Sequence, residues 1–241
     1  MSRVPAFNPV FVSIDTPDAA QAADWARRLE SAVGGIKLGL EFFTAQGPQG
    51  LAQVAKAARL PLFIDLKLHD IPNTVAGAMR GVVRLAPAIT TIHSAGGRDM
   101  IRAAVDAAGD EAHKHGIARP KVIAVTILTS IDQTALDEVG FGRTVEAQVL
   151  RLAELAVSAG ADGVVCSPHE VAALRRELGA GAHLVVPGIR PAGGALGDQK
   201  RVMTPSQAQA AGADVLVIGR PITEAPDPVA AAQGIARELG L

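Results

Sequence analysis

A single (β/α)8 barrel, the TIM-barrel member of the α/β class, is the architecture this sequence predicts, on three observations. Apolar, β-branched runs of strand length recur eight times, and helix-like or polar segments separate them. The chain has 241 residues, close to the roughly 250 typical of such a barrel. Strand–helix alternation implies a parallel sheet, and an open doubly wound sheet would usually need fewer strands. No linker or low-complexity stretch interrupts the chain, so residues 1–241 are expected to form one domain.

Taken in order, the first run is Val10–Asp15, followed by the helical pattern of Ala19–Glu30, for which Asp18 is a suitable start. Gly35–Leu40 is the second and Pro61–Leu68 the third, after which Pro72 can open a helix with Asn73 and Thr74 in its first turn. Ala88–His93 is the fourth and Lys121–Thr129 the fifth, leading to a helix over Val145–Val157. Asp162–Ser167, the sixth, leads to Glu170–Leu178. His183–Ile189 is the seventh and Asp214–Gly219 the eighth, with Ser206 and Asp227 as helix starts around the last. Two fragments repeat, AGADGVV at Ala159–Val165 and AGADVLV at Ala211–Val217, each carrying a helix end into a buried strand.

Chemistry in such a barrel belongs at the carboxyl ends of the strands. Those ends carry Asp15, Lys37, Asp65 with Lys67, His93, Thr129, Ser167, Arg190 and Arg220, a set rich in charge. The densest part is FIDLKLHDIPNT, Phe63–Thr74, where Asp65, Lys67 and Asp70 form a D-x-K-x-x-D array. Strand alternation turns Phe63, Asp65 and Lys67 to one face and Ile64, Leu66 and Leu68 to the other. Two charges on one face of an apolar strand are costly to bury unless they pair or react. Nearby carboxylates favour the ammonium form of Lys67, which suits it to donate a proton rather than to attack a carbonyl as a neutral amine. With Lys37 the set reads as a Lys-Asp-Lys-Asp chain of alternating sign, Lys37, Asp65, Lys67 and Asp70.

The last two strand ends suggest an anion site. PGIRP and IGRP place Gly188 and Gly219 where backbone N–H groups can approach a phosphate, each beside an arginine, Arg190 and Arg220. Arg220 could grip a phosphate by two parallel hydrogen bonds. Gln199, in the Gly-rich loop Gly193–Arg201, could close over the same group. His69 and His93 are expected to be hydrogen-bonded structural histidines, since no acyl-transfer nucleophile accompanies them.

Composition narrows the classes further. Hydrophobic residues make up 49% of the chain, enough for a large core. A net charge of −1, with 3% aromatics and no Tyr, gives neither a basic field nor stacking platforms for nucleic acid. The one cysteine, Cys166, sits in the apolar VVCS segment, so a disulfide framework is excluded and a buried thiol expected. No apolar run reaches the roughly 20 residues of a membrane span, and Met1–Pro9 is too short and polar for a signal peptide. No membrane partner and a cytoplasmic location are the corresponding expectations.

At this point the sequence resembles the bacterial-type orotidine 5′-monophosphate decarboxylases. The resemblance runs through DLKLHDIPNT, HSAGG at His93–Gly97, AVTILTS at Ala124–Ser130, DGVVCS, PGIRP, GDQKR at Gly197–Arg201 and VIGRPIT at Val217–Thr223. It implies a TIM barrel that converts orotidine 5′-monophosphate to UMP and CO2, the last step of de novo UMP synthesis, with no metal and no organic cofactor. By the same resemblance Asp15 and Lys37 would bind the ribose hydroxyls, and Asp65 and Lys67 would lie beside C6. Thr129, with Ser130 adjacent, would touch the pyrimidine, and Arg190, Gln199, Gly219 and Arg220 the phosphate. Asp70 and Thr74 would be contributed by the other subunit of a homodimer with shared active sites. Two alternatives from other classes stand beside this: a Mg-dependent sugar-phosphate lyase on the same barrel, and a noncatalytic nucleotide-phosphate binding protein.

Overall fold

The computed structural model describes residues 8–191 and 203–241. Within them eight parallel strands close into a barrel in sequence order, β1 pairing with both β2 and β8. The strands are β1 (Val10–Ser13), β2 (Gly35–Gly39), β3 (Leu62–Leu68), β4 (Ile89–His93), β5 (Lys121–Val125), β6 (Gly163–Val165), β7 (His183–Val186) and β8 (Val215–Ile218). Each lies inside its expected run. Except at β3 and β4 the runs extend past the strands at their carboxyl ends, because apolar residues there are buried outside the regular ladder, Ile127 in the loop after β5 and Ile189 in an isolated bridge to Met203.

Helices cover the outside: α1 (Ala19–Leu29), α2 (Leu40–Ala57), α3 (Pro72–Val83), α4 (Gly97–His115), α5 (Gln133–Glu138), α6 (Val145–Ser158), α7 (Val171–Leu178), α8 (Pro205–Ala211), α9 (Arg220–Thr223) and α10 (Pro228–Glu238). Asp18 and Asp227 cap α1 and α10 as expected, each accepting two backbone N–H bonds. Ser206 does not start α8. Thr204 does, with Gln207 returning the bond in a capping box, and Pro205 takes the first helical position, where no N–H is needed.

Strand alternation separates two cores. The large one lies between sheet and helices. The small one fills the barrel with Phe11, Phe63, Ile89, Ile123, Val185, Val215 and Val217. Phe11 and Phe63 meet edge to face at 6.4 Å, and Gly35 leaves the room: a Cβ there would stand 2.3 Å from the Phe11 ring.

The repeated AGAD fragments have a common structural task at the amino end of the barrel. Asp162 accepts the N–H of Val122 at 2.8 Å and an Arg119 bond at 2.8 Å. Asp214 accepts the N–H of Leu184 at 2.7 Å and an Arg175 bond at 2.6 Å. In both cases the aspartate before a strand ties down the start of the preceding strand. The glycine before it takes a positive φ, 103° at Gly160 and 108° at Gly212, which ends the helix.

Candidate active site

The carboxyl end of β3 departs from a regular strand. Ile64 stands beside Thr90 and Leu68 beside Ile92, so Asp65, Leu66 and Lys67 together face Thr91 alone. Lys67 absorbs the excess with a φ of 50°, a left-handed conformation that costs a non-glycine residue about 1–2 kcal/mol. Strain of this kind persists where surrounding contacts fix it, and it concentrates at functional sites.

The Lys67 side chain is held by ionic contacts. Lys67 Nζ lies 2.7 Å from Asp65 Oδ2, and Lys37 Nζ lies 3.6 Å from the same oxygen. Lys37 continues to Asp15 Oδ1 at 3.7 Å, and the Ser13 hydroxyl donates to the Asp15 carboxylate at 3.0 Å. Lys37 and Asp65 are buried, each 8% exposed. Burial alone would raise the Asp65 carboxyl. The ammonium groups of Lys37 and Lys67, with hydrogen bonds from Lys67 and Thr91, outweigh it and hold the group below the usual carboxylate range. Asp65 therefore stays ionised between two cations.

The series expected with Asp70 from a second subunit has a single-chain part. Within one chain the ion pairs run Asp15, Lys37, Asp65, Lys67, which adds Asp15 beyond Lys37 to the expected series. Asp70 is exposed, and its Oδ1 accepts the N–H of Ile71 at 2.6 Å, at the turn into α3. Thr74, in the first turn of α3, is exposed as well.

A cavity of about 250 Å³ opens above this series. Asp15, Lys37, Asp65 and Lys67 line it from β1 to β3 and Arg190, Gly219 and Arg220 from the ends of β7 and β8, Gly219 beside Asp15, and Thr129 reaches it from the loop after β5. Gly188, at a φ of 78° that only glycine adopts freely, borders the arginine side. Asp70 and Thr74 are not brought into it by their own chain, Ser130 is not on its wall, and Gln199 lies outside the described residues. Among the described residues, no group of three or more His, Cys, Asp or Glu side chains is placed to hold a metal.

Sequence reasoning missed several wall residues. Cys166 is buried as expected, yet it borders the cavity together with the apolar residues Ile127, Val165, Val185 and Val217. Ser13 and Thr91 were also missed. Ser13, on the cavity wall, sits one face-alternation before Asp15, and Thr91, beneath the wall, one before His93, so inward-facing polar residues near a strand end were the available signal. The histidines differ from expectation too. His93 stacks on His69 at 5.3 Å between ring centroids, and its buried Nδ1 has no hydrogen-bond partner among the described residues. Burial, then His69 and Lys67, push the His93 imidazole below its ordinary value, so it is neutral near pH 7.

Residues 8–235 match the family described as "Orotidine 5'-phosphate decarboxylase / HUMPS family". This chain belongs to that family. Among relatives in the orotidine 5'-phosphate decarboxylase family, the protein of that name from Paramagnetospirillum magneticum is 63% identical, over 97% of this chain and 99% of its own length. The one from Rhodospirillum rubrum is 56% identical over 96% and 94%. The crystal structure of orotidine 5'-phosphate decarboxylase from Lactobacillus acidophilus superposes with a TM-score of 0.86 at 36% identity, covering 97% of this chain and all of that one. No helix among the described residues is long and apolar enough to cross a membrane.

Proposed function

We propose that this protein decarboxylates orotidine 5′-monophosphate to UMP and CO2, using its own side chains in place of a cofactor. The observation that carries the reading is the ionic series Asp15, Lys37, Asp65, Lys67 lining the cavity, with Lys37 and Asp65 buried at its centre and the Lys67 ammonium group 2.7 Å from the ionised Asp65 carboxylate. The names of relatives at 63% and 56% identity support it.

The chemistry follows from that cation. Breaking the C6–carboxylate bond releases CO2 and leaves an electron pair on C6 with no conjugated sink. A preorganised positive charge beside C6 lowers the energy of that pair, and the Lys67 ammonium then transfers a proton to C6, completing UMP. Asp65 aims Lys67 and, with Lys37, keeps the site poised before substrate arrives. The apolar wall of Ile127, Val165, Val185 and Val217 excludes water, which strengthens the same charges. Asp15 and Lys37 would take the ribose hydroxyls, Thr129 the pyrimidine, and Arg190, Gln199, Gly219 and Arg220 the phosphate. Binding energy from the phosphate can be used to lower the barrier at C6.

The direct test follows loss of orotidine 5′-monophosphate absorbance with and without a chelator. Full activity in chelator is the expected result. Activity abolished by chelator and restored by Mg²⁺ would favour the metal-dependent lyase, and UMP binding without CO2 release a noncatalytic binding protein.

The same reading has Asp70 and Thr74 completing the site of a second subunit in a homodimer. Their exposure at the turn into α3, outside their own cavity, supports this. Homodimers of Lys67→Ala and of Asp70→Ala should both be nearly inactive. Equal mixing with subunit exchange makes half the dimers mixed, each with one intact site of two, so about a quarter of wild-type activity should return for a two-fold dimer. Activity that stays at the parental level after confirmed exchange would place Asp70 in its own chain's chemistry.

A further inference from the structure

The bulge at the end of β3 has one polar partner on β4. Thr91 is fully buried and faces into the barrel, as Ile89 does two residues earlier. Its hydroxyl makes two bonds. Lys67 N–H donates to Thr91 Oγ1 at 3.0 Å, and Thr91 Oγ1 donates to Asp65 Oδ1 at 2.8 Å. The directions are forced, because a backbone N–H can only donate and an ionised carboxylate can only accept. The hydroxyl thus replaces the carbonyl that a regular ladder would offer Lys67, and it fixes the carboxylate oxygen opposite the one that Lys37 and Lys67 share.

We propose that Thr91 is a positioning residue for the reaction, a single hydroxyl that holds the left-handed Lys67 backbone and the Asp65 carboxylate in register, so that the Lys67 ammonium reaches the reacting carbon. The proposal rests on the decarboxylase reading above. A valine at this position has nearly the same shape but can make neither bond. It leaves a buried N–H and a carboxylate oxygen without partners, and the residues free to relax are Lys67 and Asp65 themselves.

The test compares Thr91→Val and Thr91→Ser with the wild-type protein, using orotidine 5′-monophosphate as substrate and thermal melting to verify the fold. Misplacing a reacting group by about 1 Å can cost about 100-fold, so Thr91→Val should lose kcat on that order while KM changes by less than about threefold. Thr91→Ser, which restores the hydroxyl without the methyl, should recover activity to within about fivefold of wild type.

A pH profile separates positioning from mere support. The groups facing Asp65 are Lys37 from β2, Lys67 from β3 and Thr91 from β4, with Asp15 beyond Lys37. Removing the Thr91 donor favours the protonated carboxyl, so the acid limb of the rate profile should move to higher pH in Thr91→Val and return in Thr91→Ser. Wild-type kcat in Thr91→Val, equal losses in the valine and serine variants, or an unmoved acid limb would each overturn the proposal. If Thr91→Val fails to fold, Thr91→Ala, which adds no bulk, is read by the same three criteria. A wild-type chain that releases no CO2 would instead overturn the decarboxylase reading and this proposal with it, a result distinct from an active wild type with indifferent variants.

Discussion

Lys67→Ala is expected to keep the barrel and to lose several orders of magnitude in turnover of orotidine 5′-monophosphate. Two contributions disappear together, the charge that meets the electron pair on C6 and the proton that quenches it, and no other described group duplicates both. Lys37 remains 3.6 Å from Asp65 but is 8% exposed and spans Asp65 and Asp15, so it cannot swing to C6 without abandoning both. The fold should survive because Asp65 keeps Lys37 and the Thr91 hydroxyl as partners, and because alanine removes a long side chain without adding bulk. Steady-state kinetics, UMP binding by titration and a melting curve check the three parts. Near-normal turnover in a folded Lys67→Ala protein would remove Lys67 from the chemistry.

Arg220→Ala is expected to cost a large factor in kcat/KM for orotidine 5′-monophosphate and a much smaller one for orotidine lacking the phosphate. Arg220 opens α9 directly after Gly219 and lines the cavity with Arg190, at the ends of β8 and β7 rather than of β3, which carries Lys67. A guanidinium in that position can bind a phosphate by paired hydrogen bonds, and the loss of that grip is felt at C6 only through the binding energy it supplied. Comparing the two substrates isolates the effect, since the truncated one never had the interaction to lose. Equal losses for both would assign Arg220 to support of the barrel instead.

The sequence made the fold plain because the two periods it displays, alternation in strands and helical spacing between them, are consequences of burial on one face. The charged strand ends were legible for the same reason: Lys37, Asp65 and Lys67 are anomalies in apolar runs, and the structure brings them within one series. What could not be read was the bulge. Strict alternation describes Lys67 as one more inward residue, whereas its φ of 50° and the slip against β4 depend on a hydroxyl 24 residues away. Asp15 was recognised as a candidate but not as the end of the ionic series, because its link to Lys37 is set by the register of β1 against β2. The start of α8 was misplaced by two residues since Thr204 and Ser206 are both good caps, and only the reciprocal bond to Gln207 separates them.

The paired aspartates at the other rim, Asp162 and Asp214, have a consequence for how variation in this protein is scored. They clip the starts of strands, the length of a strand away from Lys67 and Asp65, so the two sets of charges should vary with little epistasis between them. A mutational survey that records growth alone would merge two kinds of failure. One that records cellular abundance beside growth would split along the barrel axis, with amino-rim variants lost to proteolysis and carboxyl-rim variants persisting as intact, silent protein.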